Sequence, residues 1–162
     1  MHDVVKIIGQ DFIILSLLGL VGIWFGLHGP NKKRLAIELL LAGVIAYCLA
    51  KLGAVLYNDP RPFMVSHVAP YFTSSTDNGF PSDHTLLASL IGFLTIRYDR
   101  KAGIALLVLA VLIAVARVVA GVHHVADVIG AFVFSGAGVL IAREVLKRWD
   151  ANPQKEVSEK QG

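Results

Sequence analysis

The chain has 162 residues, 55% hydrophobic and 17% charged, with a mean hydropathy of +0.63. That is too apolar for an ordinary soluble domain, and the length holds about five membrane spans of roughly 20 residues but no second soluble domain. The net charge of +3 sits in short clusters beside apolar runs, as membrane flanks do, which argues against nucleic-acid binding, and the single Cys48 rules out an intramolecular disulfide or a cysteine metal site.

The first apolar segment, Phe12–Leu27, has neither a basic lead nor a small-residue cleavage site before it, so it reads as a retained span. Leu35–Tyr57 follows, with Cys48 as a packing residue and Lys51 near its end. Asn58–Pro81 is the one long connection, with four prolines and the polar stretch "TSSTDNG". Its Asp59, His67, Tyr71 and Asp77 read as loop residues, and its length and polarity make Val65–Asn78 a candidate gate for a lipid. Thr85–Ile96 is short for a crossing and starts just after "PSDH". Ala102–Val119 and Val125–Leu146 complete the set, and a charged stretch from Glu144 ends the chain. An isolated span must satisfy its own backbone hydrogen bonds, and no alternating ten-residue pattern supports a barrel, so helix is the only sensible assignment. The expected fold is therefore all-α, a polytopic membrane bundle of about five transmembrane helices over residues 1–148, with a cytoplasmic tail over 149–162. Trp24, Phe25 and Tyr57 read as interfacial aromatics, and Gly43, Gly53, Gly92, Gly103, Gly136 and Gly138 as close helix contacts.

Eleven of the fifteen Lys and Arg residues flank the first, third and fifth segments at the same side: Lys32, Lys33, Arg34, Arg97, Arg100, Lys101, Arg143, Lys147, Arg148, Lys155 and Lys160. The positive-inside rule makes that side cytoplasmic and the C-terminus with it. Lys6, Lys51, Arg61 and Arg117 fall toward the outer face. Lys51 and Arg117 lie within spans, where charge is costly and a functional role is the default expectation.

Antiparallel spans bring alternate loops to one face, so "NDPRPF", "FPSDHT" and "ARVVAGVHHVAD" converge on the outer side. Lys51, Arg61 and Arg117 offer donors suited to phosphate oxygens. Ser82 and the amides opening the third helix, that of Asp83 among them, add an anion cradle with a favourable dipole. Among His84, His123 and His124, two imidazoles supply what phosphoryl transfer needs beyond charge, a nucleophile and a proton donor. Asp127, four residues after His123, lies on its helical face and can orient it.

"RPF" at Arg61–Phe63, "PSDH" at Pro81–His84 and the arginine, histidine and aspartate at Arg117, His123 and Asp127 resemble the three-part signature of the type 2 phosphatidic acid phosphatases, a family that includes vanadium haloperoxidases. "DPRPF" followed by "FPSDHT" is most similar to the bacterial undecaprenyl-diphosphate phosphatases of the bacitracin-resistance type. The resemblance implies a lipid phosphatase in the cell membrane, acting at its outer face on a polyprenyl diphosphate, or alternatively on phosphatidylglycerophosphate or phosphatidate. It implies His123 as nucleophile, Asp127 as its partner and His84 as general acid and then base, with phosphate held by Arg61, Arg117, Ser82 and the amide of Asp83. No metal or cofactor is implied. Several departures stand out. Lys51 precedes Arg61 by nine intervening residues where the family has six, Asp83 replaces a glycine, Ala116 replaces a serine, and five spans stand where six are usual.

Three other readings fit less well. A zinc site on His123, His124 and Asp127 needs His84 as a further ligand and crowds a cation with arginines. A serine hydrolase on Ser82 lacks the glycine-flanked elbow. A non-catalytic membrane partner has no need of charged groups from four segments on one face.

Overall fold

The computed structural model describes residues 1–66 and 68–151, which form helices and, among the described residues, no strand. Helix α1 spans His2–Gly26, α2 Pro30–Leu56, the short α3 Pro62–Ser66, α4 Asp83–Thr95, α5 Arg100–Val119 and α6 Val125–Asp150. The last helix thus takes in Trp149 and Asp150. His67 and the rest of the expected tail, with Lys155 and Lys160, lie outside the described residues.

Four helices, α1, α2, α5 and α6, are long and apolar enough to cross a bilayer. With 13 residues, α4 rises only about 20 Å, short of a hydrocarbon core of about 30 Å. It is instead the centre of the bundle. Nine of its residues are buried, and it packs against α1, α2, α5 and α6. Its Ser89 is used inside the protein. The Ser89 hydroxyl donates to the Thr85 carbonyl at 2.7 Å and meets the Ser135 hydroxyl of α6 at 2.7 Å, a cross-helix link that lipid could not supply.

Helix α1 starts ten residues before the expected segment, because the polar residues of His2–Asp11 lower hydropathy without breaking a helix. The backbone widens into a π turn at Ile7–Asp11, a common feature near functional sites. There Gly9 packs against Phe72, whose ring would lie 3.3 Å from any added Cβ.

Small residues let the spans approach. A Cβ on Gly138 of α6 would sit 2.8 Å from the Cβ of Ala46 and 2.9 Å from the Ala42 carbonyl of α2. Gly53, Gly92 and Gly103 are similarly crowded, by Phe134, Leu107 and Ile96, whereas Gly43 and Gly136 make only ordinary contacts at 3.9 and 3.6 Å. The glycine reading therefore holds at four of six positions. The α2 stripe Ala42, Ala46 and Ala50 joins Leu86, Leu90 and Leu94 of α4 and Ala131, Val139 and Ala142 of α6 in one core, while Leu40, Val108 and Leu140 face outward, as lipid-facing residues do.

At the end of the bundle away from the long loop, Glu38 of α2 is fully buried. It accepts from Arg97 at 2.6 Å and from Arg34 at 3.1 Å, and Arg143 lies 3.8 Å away. Arg34 also pairs with Asp150. Arg143 donates to the carbonyls of Phe93 and Leu94, satisfying the C-terminal end of α4.

Candidate active site

Five helix ends meet at the opposite face: the start of α1, the end of α2, the start of α4, the end of α5 and the start of α6. Asn78 closes the long loop onto α2. Its Oδ1 accepts from the amides of Asp59 and Phe80 at 2.9 and 3.0 Å, and its Nδ2 donates to the carbonyls of Ala54 and Tyr57 at 2.8 and 3.0 Å. Further along, Phe72 is buried against Ala120 and Val122, and the Tyr71 amide donates to the Ala120 carbonyl at 3.1 Å. Between α5 and α6 the chain reverses at Gly121, whose φ of 73° is strained for a residue with a Cβ, and this turn carries His123 back into the bundle.

His123 is 2% exposed. Its Nδ1 lies 3.1 Å from Asp127 Oδ2, and its Nε2 lies 3.3 Å from a guanidinium nitrogen of Arg61 and 3.3 Å from one of Arg117. A guanidinium only donates, so Nε2 must be the accepting, unprotonated nitrogen and Nδ1 the one that donates to Asp127. Burial holds the imidazole below its usual pKa, against the opposing pull of Asp127, and the two arginines push the same way as burial. The arrangement is a neutral imidazole with its lone pair aimed between two cations.

Both arginines are 6% exposed and fixed by other groups. Arg61 donates to the Val122 carbonyl at 3.1 Å, to Ser75 Oγ at 3.0 Å and to Asp77 at 2.8 Å. Arg117 donates to the Gly9 carbonyl in the widened turn of α1 at 3.2 Å, and its guanidinium stacks 5.6 Å from the Phe72 ring. The Ser75 hydroxyl and then Arg61 hold the Asp77 carboxyl below the usual carboxylate range.

A cavity of about 240 Å³ opens in front of His123, lined by Arg61, Asp83, His84, Arg117 and the loop residues Thr73–Ser75, with Gln10 and Phe72. Of the residues singled out from sequence, Arg61, Asp83, His84, Arg117 and His123 share this cavity, with Asp127 directly behind His123. Ser82 does not line it. Its fully buried hydroxyl accepts from Thr85 at 3.1 Å and its amide donates to the Asp127 carbonyl at 3.2 Å, so it ties α4 to α6. Lys51 lines a neighbouring cavity of about 230 Å³ that shares Arg61 and Asp83 and adds Asp77 and Asn78, and its ammonium sits 5.2 Å above the Tyr47 ring.

From sequence Asp59 reads as a loop residue and His124 as the neighbour of the motif histidine, and the structure brings the two together. His124 Nδ1 lies 3.1 Å from Asp59 Oδ1, and the His124 amide donates to Asp127 Oδ2 at 2.8 Å. Ligand-type atoms of Asp59, His124 and Asp127 fall within 4.8 Å of one another, so the third member beside His124 and Asp127 is Asp59, not His84. The signal available was the "HH" pair, whose second member is the N-cap of α6. Gln10, Ser75 and Asp77 had no distinguishing pattern.

The family model of the PAP2 superfamily matches residues 35–150. The chain is 35% identical over 130 residues to the bacitracin transport permease protein BcrC of Bacillus licheniformis, covering 79% of this chain and 63% of that protein. It is 27% identical over 133 residues to the undecaprenyl-diphosphatase BcrC of Bacillus subtilis (strain 168), covering 82% and 68%. It thus spans less than two thirds of the first of these relatives. Among solved structures, the first transmembrane PAP2 type phosphatidylglycerolphosphate phosphatase from Bacillus subtilis superposes with a TM-score of 0.63 at 23% identity, covering 91% of this chain and 77% of that one. Aquifex aeolicus LpxE gives 0.66 at 21%, covering 88% and 93%. These two likenesses establish a shared fold.

Proposed function

Because the chain belongs to the PAP2 superfamily, we propose that it is a multi-pass membrane phosphatase that removes the terminal phosphate of a polyprenyl diphosphate through a phosphohistidine on His123. The observation that carries this reading is the His123 Nε2 lone pair, 3.3 Å from each of two buried guanidiniums and backed by Asp127 at 3.1 Å.

In the forward step Nε2 attacks the terminal phosphorus while the bond to the bridging oxygen breaks. His84, on the wall of the same cavity, has its pKa lowered to about 4 by burial and then by Arg117, so it takes up its proton with the anionic substrate in place and gives it to that leaving oxygen. Arg61 and Arg117 follow the phosphoryl oxygens, where charge builds up. Asp127 keeps the Nδ1 proton in place as the ring becomes cationic. In the second step His84, now neutral, takes a proton from water, whose oxygen attacks phosphorus and breaks the N–P bond. Phosphate leaves and both imidazoles are restored. The amide of Asp83 at the start of α4 and the ammonium of Lys51 are further donors to the substrate's phosphates.

The basic residues of the Glu38 end support placing that end in the cytoplasm with the C-terminus, and hence the catalytic face outside the cytoplasmic membrane. The B. subtilis relative, an undecaprenyl-diphosphatase, supports the polyprenyl substrate over a glycerophospholipid. The test is phosphate release by purified protein in detergent from undecaprenyl diphosphate, phosphatidylglycerophosphate and phosphatidate, with EDTA present and His123→Ala as control. The expected result is chelator-resistant, His123-dependent release, fastest from the diphosphate. Preference for a glycerophospholipid would replace the substrate, and release independent of His123 would remove the mechanism.

A further inference from the structure

Asp127 uses only one of its carboxylate oxygens in the arrangement described so far. Oδ2 accepts from both the His123 ring and the His124 amide, while Oδ1 is fully buried without a hydrogen-bond partner. A buried carboxylate oxygen left so is costly, and its neighbourhood decides how firmly the carboxylate holds its charge. The side chain of Asp59, 13% exposed, comes from the other end of the site to within 4.8 Å of Asp127, oxygen to oxygen, and its Oδ1 lies 3.1 Å from His124 Nδ1. Backbone contacts fix Asp59 in this position. Its amide donates to Asn78 Oδ1 at 2.9 Å and its carbonyl accepts from the Gly79 amide at 2.9 Å, which fixes its Cα beside the site and leaves the side chain to be oriented by its neighbours.

We propose that Asp59 and His124 form a positioning pair for the nucleophile, setting the charge that faces Asp127 and through it the basicity of His123. This inference rests on the phosphohistidine reading. The pair touches no substrate-facing atom of His123. It acts behind Asp127, where the chain of side chains runs His123, Asp127, Asp59, His124, with two carboxyls side by side between two imidazoles. Burial, followed by the Asp127 charge, raises the Asp59 carboxyl above its usual range, as two neighbouring carboxyls sharing one region require.

The other charged and titratable groups around this chain are few. Arg61 from the long loop and Arg117 from α5 both face Nε2 of His123, on the side away from Asp59. His84 and Asp83 from α4 line the cavity in front. Tyr57, from the end of α2, reaches Asp59 Oδ2 at 3.4 Å. None of these replaces Asp59 behind Asp127.

The prediction has a sign. A carboxylate near an imidazole favours its protonated form, so replacing Asp59 by neutral Asn lowers the pH at which His123 becomes protonated. The acid limb of kcat/KM therefore moves down by roughly half to one pH unit. His124→Ala frees the Asp59 side chain and lowers kcat roughly tenfold, the usual penalty for a loosened supporting contact. His124→Asn, whose amide nitrogen stands close to the place of Nδ1, recovers most of that loss.

The experiment measures pH profiles of phosphate release from undecaprenyl diphosphate for the wild type, Asp59→Asn, His124→Ala and His124→Asn, with His123→Ala in parallel and thermal unfolding in detergent to confirm folding. A displaced acid limb in Asp59→Asn and recovery by His124→Asn over His124→Ala support the pair. Loss that is equal at every pH, or equal for Asn and Ala at position 124, overturns it while leaving the phosphohistidine reading intact. Stoichiometric Zn²⁺ binding by the wild type that is lost in Asp59→Asn, with chelation reproducing the pH shift, also overturns it, since the trio would then hold a metal. Activity surviving in His123→Ala instead removes the parent reading.

Discussion

Asp77 Oδ1 lies 2.8 Å from the Arg61 guanidinium, so a carboxylate of the long loop occupies one edge of the fork expected to hold phosphate. The two anions compete for the same donors. Asp77→Asn is expected to tighten inhibition by inorganic phosphate about three- to tenfold, read from competition assays, since the exposed loop partner is lost while Arg61 stays anchored on the Val122 carbonyl. Unchanged inhibition would mean that Arg61 does not reach the phosphate. Because the folded pKa of Asp77 is depressed, its contribution is complete above the ordinary Asp value near 3.9 and fades only as pH falls below it, so the competition persists throughout the neutral range.

His123 titrates below the ordinary imidazole value near 6.5, so its nucleophilic form survives as pH falls through that value. The acid limb of kcat/KM for the wild type is accordingly expected below pH 6.5, unless it belongs to substrate. Asp127→Asn, which reverses the hydrogen bond that selects the ring tautomer, is expected to lower kcat by about 10²- to 10⁴-fold with little change in KM. A matching rise in KM would instead place Asp127 in substrate binding.

The order of helices, their all-α character and the convergence of three loops were legible because hydropathy, basic flanks and motif spacing are properties of the chain itself. What escaped were features created by packing. The starting turns of α1 fall outside the expected segment Phe12–Leu27 since His2, Asp3, Lys6 and Asp11 lower hydropathy, although a polar first turn belongs at an interface. Glu38 sat inside an apolar run and had no readable partner, because Arg97 reaches it from the turn between α4 and α5 and Arg143 from α6. Ser82 carried a phosphate-binding motif in the sequence, yet its hydroxyl points toward Thr85. Asp59 and His124 are 65 positions apart, and no local spacing rule connects them.

Lys51 is expected to affect binding without affecting chemistry. Its cavity meets that of His123 at Arg61 and Asp83, so under the proposed diphosphatase reading it would meet the phosphate that stays on the lipid and not the one transferred. Lys51→Met should raise KM for a diphosphate about three- to tenfold at constant kcat and leave a soluble monophosphate ester unaffected, within the range of one partly exposed charge contact. An equal effect on both substrates would place Lys51 at the transferred group.

Glu38 and its three arginines make the last prediction, and the opposite end of the bundle makes it separable from catalysis. The carboxylate is fully buried and receives Arg97 at 2.6 Å and Arg34 at 3.1 Å, with Arg143 at 3.8 Å. Burial, and then the negative charge of Glu38, push the Tyr98 hydroxyl up to about 12, which places the same charge at the turn between α4 and α5. Removing one member of a buried charge group costs more than the group contributes, because the others remain desolvated without a partner. Glu38→Leu therefore leaves cations from α2, the turn between α4 and α5, and α6 without their common anion and is expected to cost about 3–5 kcal/mol. Arg97→Gln removes a side chain that is 45% exposed, whose charge water can replace, and should cost under about 1 kcal/mol. Thermal unfolding in detergent separates the two. Because α4 accepts from Arg143 at its last carbonyls and α6 carries Arg143, and both helices start at the catalytic face, a KM change in a folded Glu38→Gln variant would mean that these helices transmit strain along their length, while an unchanged KM would make the cluster a structural clasp alone.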